Sequence, residues 1–258
     1  MKHLFNFSYI GSVNSSAKIA KGEKINLDTF VVYLAAASLS GFNVCAKATK
    51  WCIMGCLVNS GRVIMDKLNK ILTARINKTT TFYENRPQFM AQLVKEISRA
   101  KNKAHKAGRS FAVRLNGTSD LSPLIWKHEG RTILDLFPDT VFYDYSKVLN
   151  RLKLVKQFKN YDLTFSYSGE NWDECLEALA AGVRVAVVFK VKKGQPLPAN
   201  FRGFHVIDGD LTDYRPDDPA GCIVGLRFKR IKDKEAQNAV LNSPFVIDPI
   251  NELETVNN

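Results

Sequence analysis

Apolar and polar positions change rhythm along the chain. The run "TFVVYLAAAS" (29–38) opens on β-branched and aromatic residues and is almost continuously apolar, the pattern of a buried strand. After the Ser/Gly break "SLSGFN" the period turns helical: Val63, Ile64, Leu68, Ile71, Leu72 and Ile76 recur three or four residues apart. A second helix is predicted over "RPQFMAQLVKEISRAKNKAHKAG". Pro87 suits its first turn, Phe89, Leu93 and Ile97 mark one face, and Gly108 is the stop. Six further strands follow: "FAVRLNG" (111–117), "TVFYDYSK" (140–147), "YDLTFSYSG" (161–169), "VRVAVVFK" (183–190), "GFHVIDGD" (203–210) and "CIVGLRFK" (222–229). Between the third and fourth of these, "NWDECLEALAAG" predicts a helix with Asn171 as its cap and Gly182 as its stop.

Strands alternating with helices or longer connections imply an α/β protein with parallel strands joined by crossovers. Stretches 190–203 and 211–221 are Gly/Pro/Asp-rich and carry no helical period, which disfavours a complete eightfold barrel. The expectation is a parallel, incomplete TIM-barrel-like (β/α) sheet of six to seven strands, with an open doubly wound sheet as the alternative. One domain is expected over residues 1–258, with a cysteine loop (39–62) after the first strand and a frayed tail after Pro249.

Charge changes the picture more than composition does. A hydrophobic fraction of 45% is ordinary, but a formal net charge of +12 favours polyanions, nucleic acid first among them. The basic residues are dispersed, with clusters at Lys101–Arg109, Lys147–Lys159 and Arg227–Lys234, which suits backbone contact better than a basic tail. No apolar run approaches the roughly 20 residues of a membrane span. Asn6, Ser8 and Gly11 interrupt any signal-peptide core, so a cytoplasmic protein with reduced thiols is expected.

In parallel α/β proteins, chemistry collects where the loops leave the C-terminal ends of the strands. Those ends carry Asn116, Ser119 and Asp120, then Asp144, Ser146 and Lys147, then Ser166 and Ser168, then Asp208, Asp210 and Asp213, and finally Arg227 and Lys229. Turn chemistry explains part of any such set. Three of the five cysteines, Cys45, Cys52 and Cys56, follow the first strand and share this rim. Their C-x6-C-x3-C spacing is not that of a zinc ribbon, whose closed site wants four ligands in tight pairs. Three thiolates with an open fourth position suit an iron–sulfur cluster, [4Fe–4S] before other types, with zinc as the alternative metal and inert thiols as the bland one. Cys175 on an apolar helix face and Cys222 at a strand start read as buried thiols.

The cysteine segment, "VRLNGTSDLSP", "VFYDYSK", "NYDLTFSYSGENW", "VIDGDLTDYRPDDP" and "IVGLRFK" together resemble a family of phage and plasmid proteins, the mycobacteriophage gene product 88 group. That resemblance covers Val31 to Lys229 and implies residence in the host cytoplasm, without an activity to transfer. More distantly, a first strand followed by three cysteines, and an "NGTSD" turn after the second, is similar to radical S-adenosylmethionine enzymes. This implies Cys45, Cys52 and Cys56 as cluster ligands, with Asn116, Ser119 and Asp120 beside the S-adenosylmethionine. The spacing departs from the usual C-x3-C-x2-C of that superfamily.

The leading expectation is thus an iron–sulfur enzyme of radical type acting on nucleic acid or a nucleotide-containing substrate. Asn116, Ser119, Asp120, Ser166 and Ser168 would contact the cofactor, Lys147 and Arg227 would neutralise substrate phosphate or carboxylate, and Asp208 would orient it. Two readings compete. One is a non-enzymatic nucleic-acid-binding protein with a structural metal, in which Phe142, Tyr143, Tyr145, Phe165 and Tyr167 either stack on bases or fill the core. The other is a Mg²⁺-dependent hydrolase or nuclease using Asp120, Asp208 and Asp210. The chain has no GxxxxGK[ST] loop, no G-x-S-x-G elbow and no paired histidines.

Overall fold

The computed structural model describes residues 7–56, 60 and 62–250. Residues 57–59 and 61 of the cysteine loop, and the expected tail from 251 on, lie outside the described residues. The described chain opens with a short strand, β1 (Gly11–Val13), followed by β2 (Leu27–Val32) and the short helices α1 (Lys50–Met54) and α2 (Arg62–Met65). Two long helices come next, α3 (Lys70–Glu84) and α4 (Arg86–Lys106), and lead to β3 (Ser110–Arg114). A hairpin of β4 (Lys127–His128) and β5 (Arg131–Thr132) runs into α5 (Ile133–Leu136) and β6 (Val141–Ser146). Then follow α6 (Leu152–Gln157), β7 (Tyr161–Ser166), α7 (Trp172–Ala180) and β8 (Arg184–Phe189). The remaining elements are β9 (Asn200–Phe201), β10 (Phe204–Asp208), β11 (Ile223–Arg227), α8 (Lys234–Leu241) and β12 (Val246–Ile247).

All seven predicted strands form, as β2, β3, β6, β7, β8, β10 and β11, and each pairs parallel with its neighbours among them. The main sheet has the order β1-β2-β3-β6-β7-β8-β11-β10-β9, with β12 alongside β8. Its two end strands are antiparallel to their neighbours. Among the described residues β1 and β9 do not pair, so the sheet is large, mostly parallel and open rather than a closed barrel. Strictly sequential order breaks only at the far end, where β11 lies between β8 and β10.

Period-two alternation explains the two faces. Phe111, Val113 and Leu115 point into a core shared with Phe82, Phe89, Leu93, Ile97 and Trp126 from the helical side. Pro87 starts α4 as expected, and Gly108 past its end takes φ +67°, where a side chain would be strained. The helix expected from residue 63 is broken instead. Asp66 accepts from the Ile71 N–H at 2.6 Å, and Asn69 adopts φ +51°, so a side chain replaces the helical bonds between α2 and α3.

The other sheet face is covered by the helix-free connection from β10 to β11. Tyr214 packs edge-on against Tyr143, with ring centroids 5.5 Å apart. Beside it Asp213 accepts from Arg114 Nη1 at 2.8 Å, pairs with Lys18 at 3.4 Å and accepts from the Tyr143 hydroxyl at 3.4 Å. Phe142, Tyr143, Phe165 and Tyr167 are buried and Tyr145 is half-buried, so these aromatics are core and do not offer ring faces to bases. Among the described residues no helix is long and apolar enough to cross a membrane.

Asp213 generates a signed pH dependence. Burial alone would raise its carboxyl, but Arg114, Lys18 and Arg215 outweigh burial and hold it below the ordinary 3.8. A depressed folded-state value stabilises above the unfolded value and is lost as pH falls through the folded one. Asp213→Asn should cost about 3–5 kcal/mol at pH 6, because it strands buried cations. Urea unfolding at a series of pH values should show that gap narrowing only below about pH 4.

Candidate functional site

The C-terminal ends of β2, β3, β6 and β7 meet the cysteine loop. The turn after β3 is braced by Asn116, which is almost wholly buried. Its Oδ1 accepts from Ser119 Oγ at 2.8 Å and from the Leu121 N–H at 2.9 Å. Its Nδ2 donates to the Leu121 carbonyl and to Asp144. Gly117 sits where a Cβ would come within 2.7 Å of the Tyr33 ring, so the turn presses directly on the end of β2.

Asp120 joins this turn to everything around it. Its N–H donates to the Val44 carbonyl at 2.8 Å, forming a parallel bridge between Cys45 and Asp120. Its carboxylate accepts from Ser146 Oγ at 2.8 Å, from the Lys147 N–H at 3.0 Å and from the Arg151 guanidinium. Arg151 also donates to the Asp120 carbonyl at 2.6 Å. Neither Asp144 nor Arg151 stood among the expected cofactor contacts. Asp144 lies under the turn, where burial pushes its carboxyl up to about 6 against hydrogen bonds from Asn116 that favour the charged form.

The three loop cysteines are half-buried, whereas Cys175 and Cys222 are buried in separate places, as their apolar surroundings predicted. Cys45 Sγ accepts from the Ala37 N–H at 3.4 Å, and Ala37 holds a left-handed φ of +47°, a strained conformation for alanine. Burial pushes the Cys45 thiol up to about 11. The Ala37 N–H opposes that rise, while Cys56, Asp120 and Cys52 add to it, so the three thiols share one field. Lys147 reaches the same group. Burial disfavours its charge, but the nearby Cys52 and Asp120 together raise its pKa above the ordinary value. Thr49 caps α1 by accepting from the Cys52 N–H at 3.2 Å and donates to the Ser168 carbonyl at 3.3 Å, tying the cysteine helix to the end of β7.

A cavity of about 310 Å³ opens beside this group, lined by Lys47, Thr49, Lys147, Ser168, Glu170, Asn171, Asp173 and Glu174. Lys47 and Glu174 face each other across it at 4.0 Å. The loop after β7 is held by Asn171, whose side chain does not cap α7. Its Oδ1 accepts from the N–H and Oγ of Ser168 at 2.7 and 2.9 Å, and its Nδ2 donates to the Ser166 carbonyl at 3.2 Å. Of the expected residues, Lys147 and Ser168 line the cavity, whereas Asn116, Ser119 and Asp120 brace its surroundings. The acidic lining was legible only as the polar stretch "SGENWDE", which runs from the loop after β7 into the first turn of α7.

Asp208 and Arg227 stand apart from this group, at the ends of β10 and β11, with β8 between them and β7. Arg227 Nη1 donates to Asp208 at 2.8 Å and to Asp210 at 3.3 Å, and its other nitrogens bond the Gln195 carbonyl. The hydrogen bond from Arg227 lowers the Asp208 pKa. Asp120, Asp208 and Asp210 therefore do not form one carboxylate group. Among the described residues no three His, Cys, Asp or Glu side chains are placed to hold a single metal ion. Thiolate is the ligand type that iron–sulfur clusters take.

Removing the Asp120 carboxylate should free the loop. Asp120→Ala leaves Arg151 buried without its partner and should destabilise the fold by about 3–5 kcal/mol. Under native conditions a thiol reagent should label Cys45 several-fold faster than in the parent, with Cys175 and Cys222 still protected. An unchanged Cys45 rate would mean that the loop is held without this clamp.

Comparison with known proteins supplies kinship but no chemistry. No curated protein and no solved structure matches the chain. The distant likeness to radical S-adenosylmethionine enzymes therefore has no counterpart among these comparisons. One family model, described as "Gene product 88", matches residues 10–241. The match spans β1 through α8, and with it the cysteine rim, the clamp and the cavity: the chain belongs to the gene product 88 family.

Proposed function

We propose that this chain is an iron–sulfur protein in which Cys45, Cys52 and Cys56 hold a [4Fe–4S] cluster at the strand-end rim, beside a small-molecule cavity. One observation carries the reading. Three half-buried thiols from a single loop share one electrostatic field with Lys147 next to that cavity, while the other two cysteines lie elsewhere in the core. A cluster held by three thiolates keeps one iron open to an outside ligand, and S-adenosylmethionine is the ligand the distant resemblance implies.

The chain's own residues have definable parts in this reading. The Lys147 ammonium stands near Cys52 at the cavity wall and presents positive charge to an anionic ligand group. Glu170 and Asp173 add negative charge to the lining, suited to an ammonium or sulfonium. Asn171 and Thr49 hold the two walls in register through Ser168. Asp120 and Arg151 are positioning residues that fix the loop bearing Cys45. The net charge of +12 supports nucleic acid, or a nucleotide-containing compound, as the class of substrate or partner.

Protein prepared or reconstituted without oxygen should carry about four irons and four sulfides per chain, with visible absorbance and a reduced-state paramagnetic signal. Cys45→Ala, Cys52→Ala and Cys56→Ala should each abolish most of the iron, whereas Cys175→Ala and Cys222→Ala should retain it. Parent protein that binds neither iron nor sulfide ends the cluster reading. Stoichiometric zinc instead would replace it with a structural metal.

A further inference from the structure

We infer that the outward face of α4 is a docking surface for a nucleic-acid phosphate backbone, formed by Lys95, Arg99, Lys103 and Lys106. The inference deepens the nucleic-acid part of the proposed function and does not depend on the cysteine site. All four residues are exposed, while Phe89, Met90, Leu93, Ile97 and Ala104 turn the opposite face of the helix into the core. Among the described residues none of the four has an ion-pair partner. The single acidic residue of α4, Glu96, is taken out of play. It accepts from the Ile10 and Gly11 N–H groups at 2.9–3.0 Å and from Gln92 at 2.7 Å.

The spacing makes this stripe more than a solvated helix face. Lys95, Arg99 and Lys103 follow one another at i, i+4 and i+8, so each is stacked over a like charge, an arrangement that destabilises a helix by itself. The helix dipole explains cations in the last turn, Lys103 and Lys106, but not Lys95 and Arg99 in the body of the helix. A polyanion supplies the missing countercharge. From Lys95 to Lys106 the stripe runs about 16 Å, the axial reach of roughly five phosphates on one strand of a duplex.

The other sequence clusters also leave exposed cations, Lys153, Lys156 and Lys159 on and just past the short α6 and Arg230, Lys232 and Lys234 before and at the start of α8, but neither set forms an i, i+4, i+8 row on a long helix. In the 147–159 run Lys147 and Arg151 turn inward to the cysteine rim and to Asp120, and in the 227–234 run Arg227 is bonded to Asp208 and Asp210. The stripe also lies away from the cysteines. Lys103 and Lys106 sit where α4 hands the chain to the start of β3, whereas the cysteine loop follows the end of β2.

The test uses the full chain without added metal. Fluorescence anisotropy would follow binding to a labelled duplex and to a single strand over a salt series. It would compare the parent, a K95Q/R99Q/K103Q/K106Q variant, and an equal-charge control, K192Q/K193Q/K232Q/K234Q, at exposed lysines elsewhere. Circular dichroism would verify that each retains the parent fold. The α4 variant should bind at least tenfold more weakly at low salt, with the slope of log K against log salt smaller by about 2–4, while the control stays within about twofold of the parent. Equal weakening in both variants would overturn the surface assignment and leave diffuse charge as the cause. If the parent binds no nucleic acid at low salt, or binds only vesicles of anionic lipid, the nucleic-acid partner falls as well.

Discussion

A single carboxylate, Asp120, decides whether the strand ends of this protein form a site. Its N–H carries the Val44 carbonyl and its oxygens take a serine hydroxyl, a backbone N–H and the Arg151 guanidinium. The cysteine loop, the turn after β3 and the end of β6 are thereby locked to one another. Desolvating a carboxylate and a guanidinium is costly, and only a full complement of hydrogen bonds offsets it. Here both oxygens are occupied, and Arg151 spends a second nitrogen on the Asp120 carbonyl. Loss of either partner leaves a buried charge rather than a neutral gap.

A second ionic centre works on the opposite face of the sheet. Asp213 gathers Arg114, Lys18 and the Tyr143 hydroxyl, and so fastens the helix-free β10–β11 connection across an open sheet that no barrel closure stiffens. The two centres couple differently to pH. Asp213 is held below its ordinary pKa and stabilises the fold from neutral down to mild acid. Asp144, under the cysteine-facing turn, is pushed up to about 6 by burial, so it costs stability as pH rises from about 4 to 6. The rim thus carries a local cost that its hydrogen-bonded surroundings sustain.

Charge in this molecule separates into two populations with different work. Inward-facing cations, Arg151, Arg114 and Arg227, are bonded to carboxylates and hold loops in place, and Lys147 turns toward the cysteine rim. Among the outward-facing ones, the α4 stripe has no ion-pair partner among the described residues, and its members repel one another along the helix. The net charge of +12 counts both alike, and so overstates what is available to a polyanion.

Much of the fold was legible in the sequence. The seven parallel strands, α4 with its proline start and glycine stop, and the two buried cysteines follow from local periodicity and turn chemistry, which act over a few residues. The break between α2 and α3 escaped because Asp66 can bond either way and periodicity does not register that choice. At the site, the cysteine trio, Lys147 and Ser168 were legible from their position after strands. Asn116, Ser119 and Asp120 were legible as rim residues, but not the hydrogen bonds by which they brace the turn. Asp208 and Arg227 were drawn into the same group because the strand-end rule says nothing of strand order. By itself the sequence determined which segments are strands and which residues stand at their ends, since both are short-range properties. Only the tertiary structure decided which ends are neighbours, which cations turn inward, that Arg151 serves the rim and that Asp144 is buried under its turn, because pairing between strands and burial of charge are set by contacts far apart in the chain.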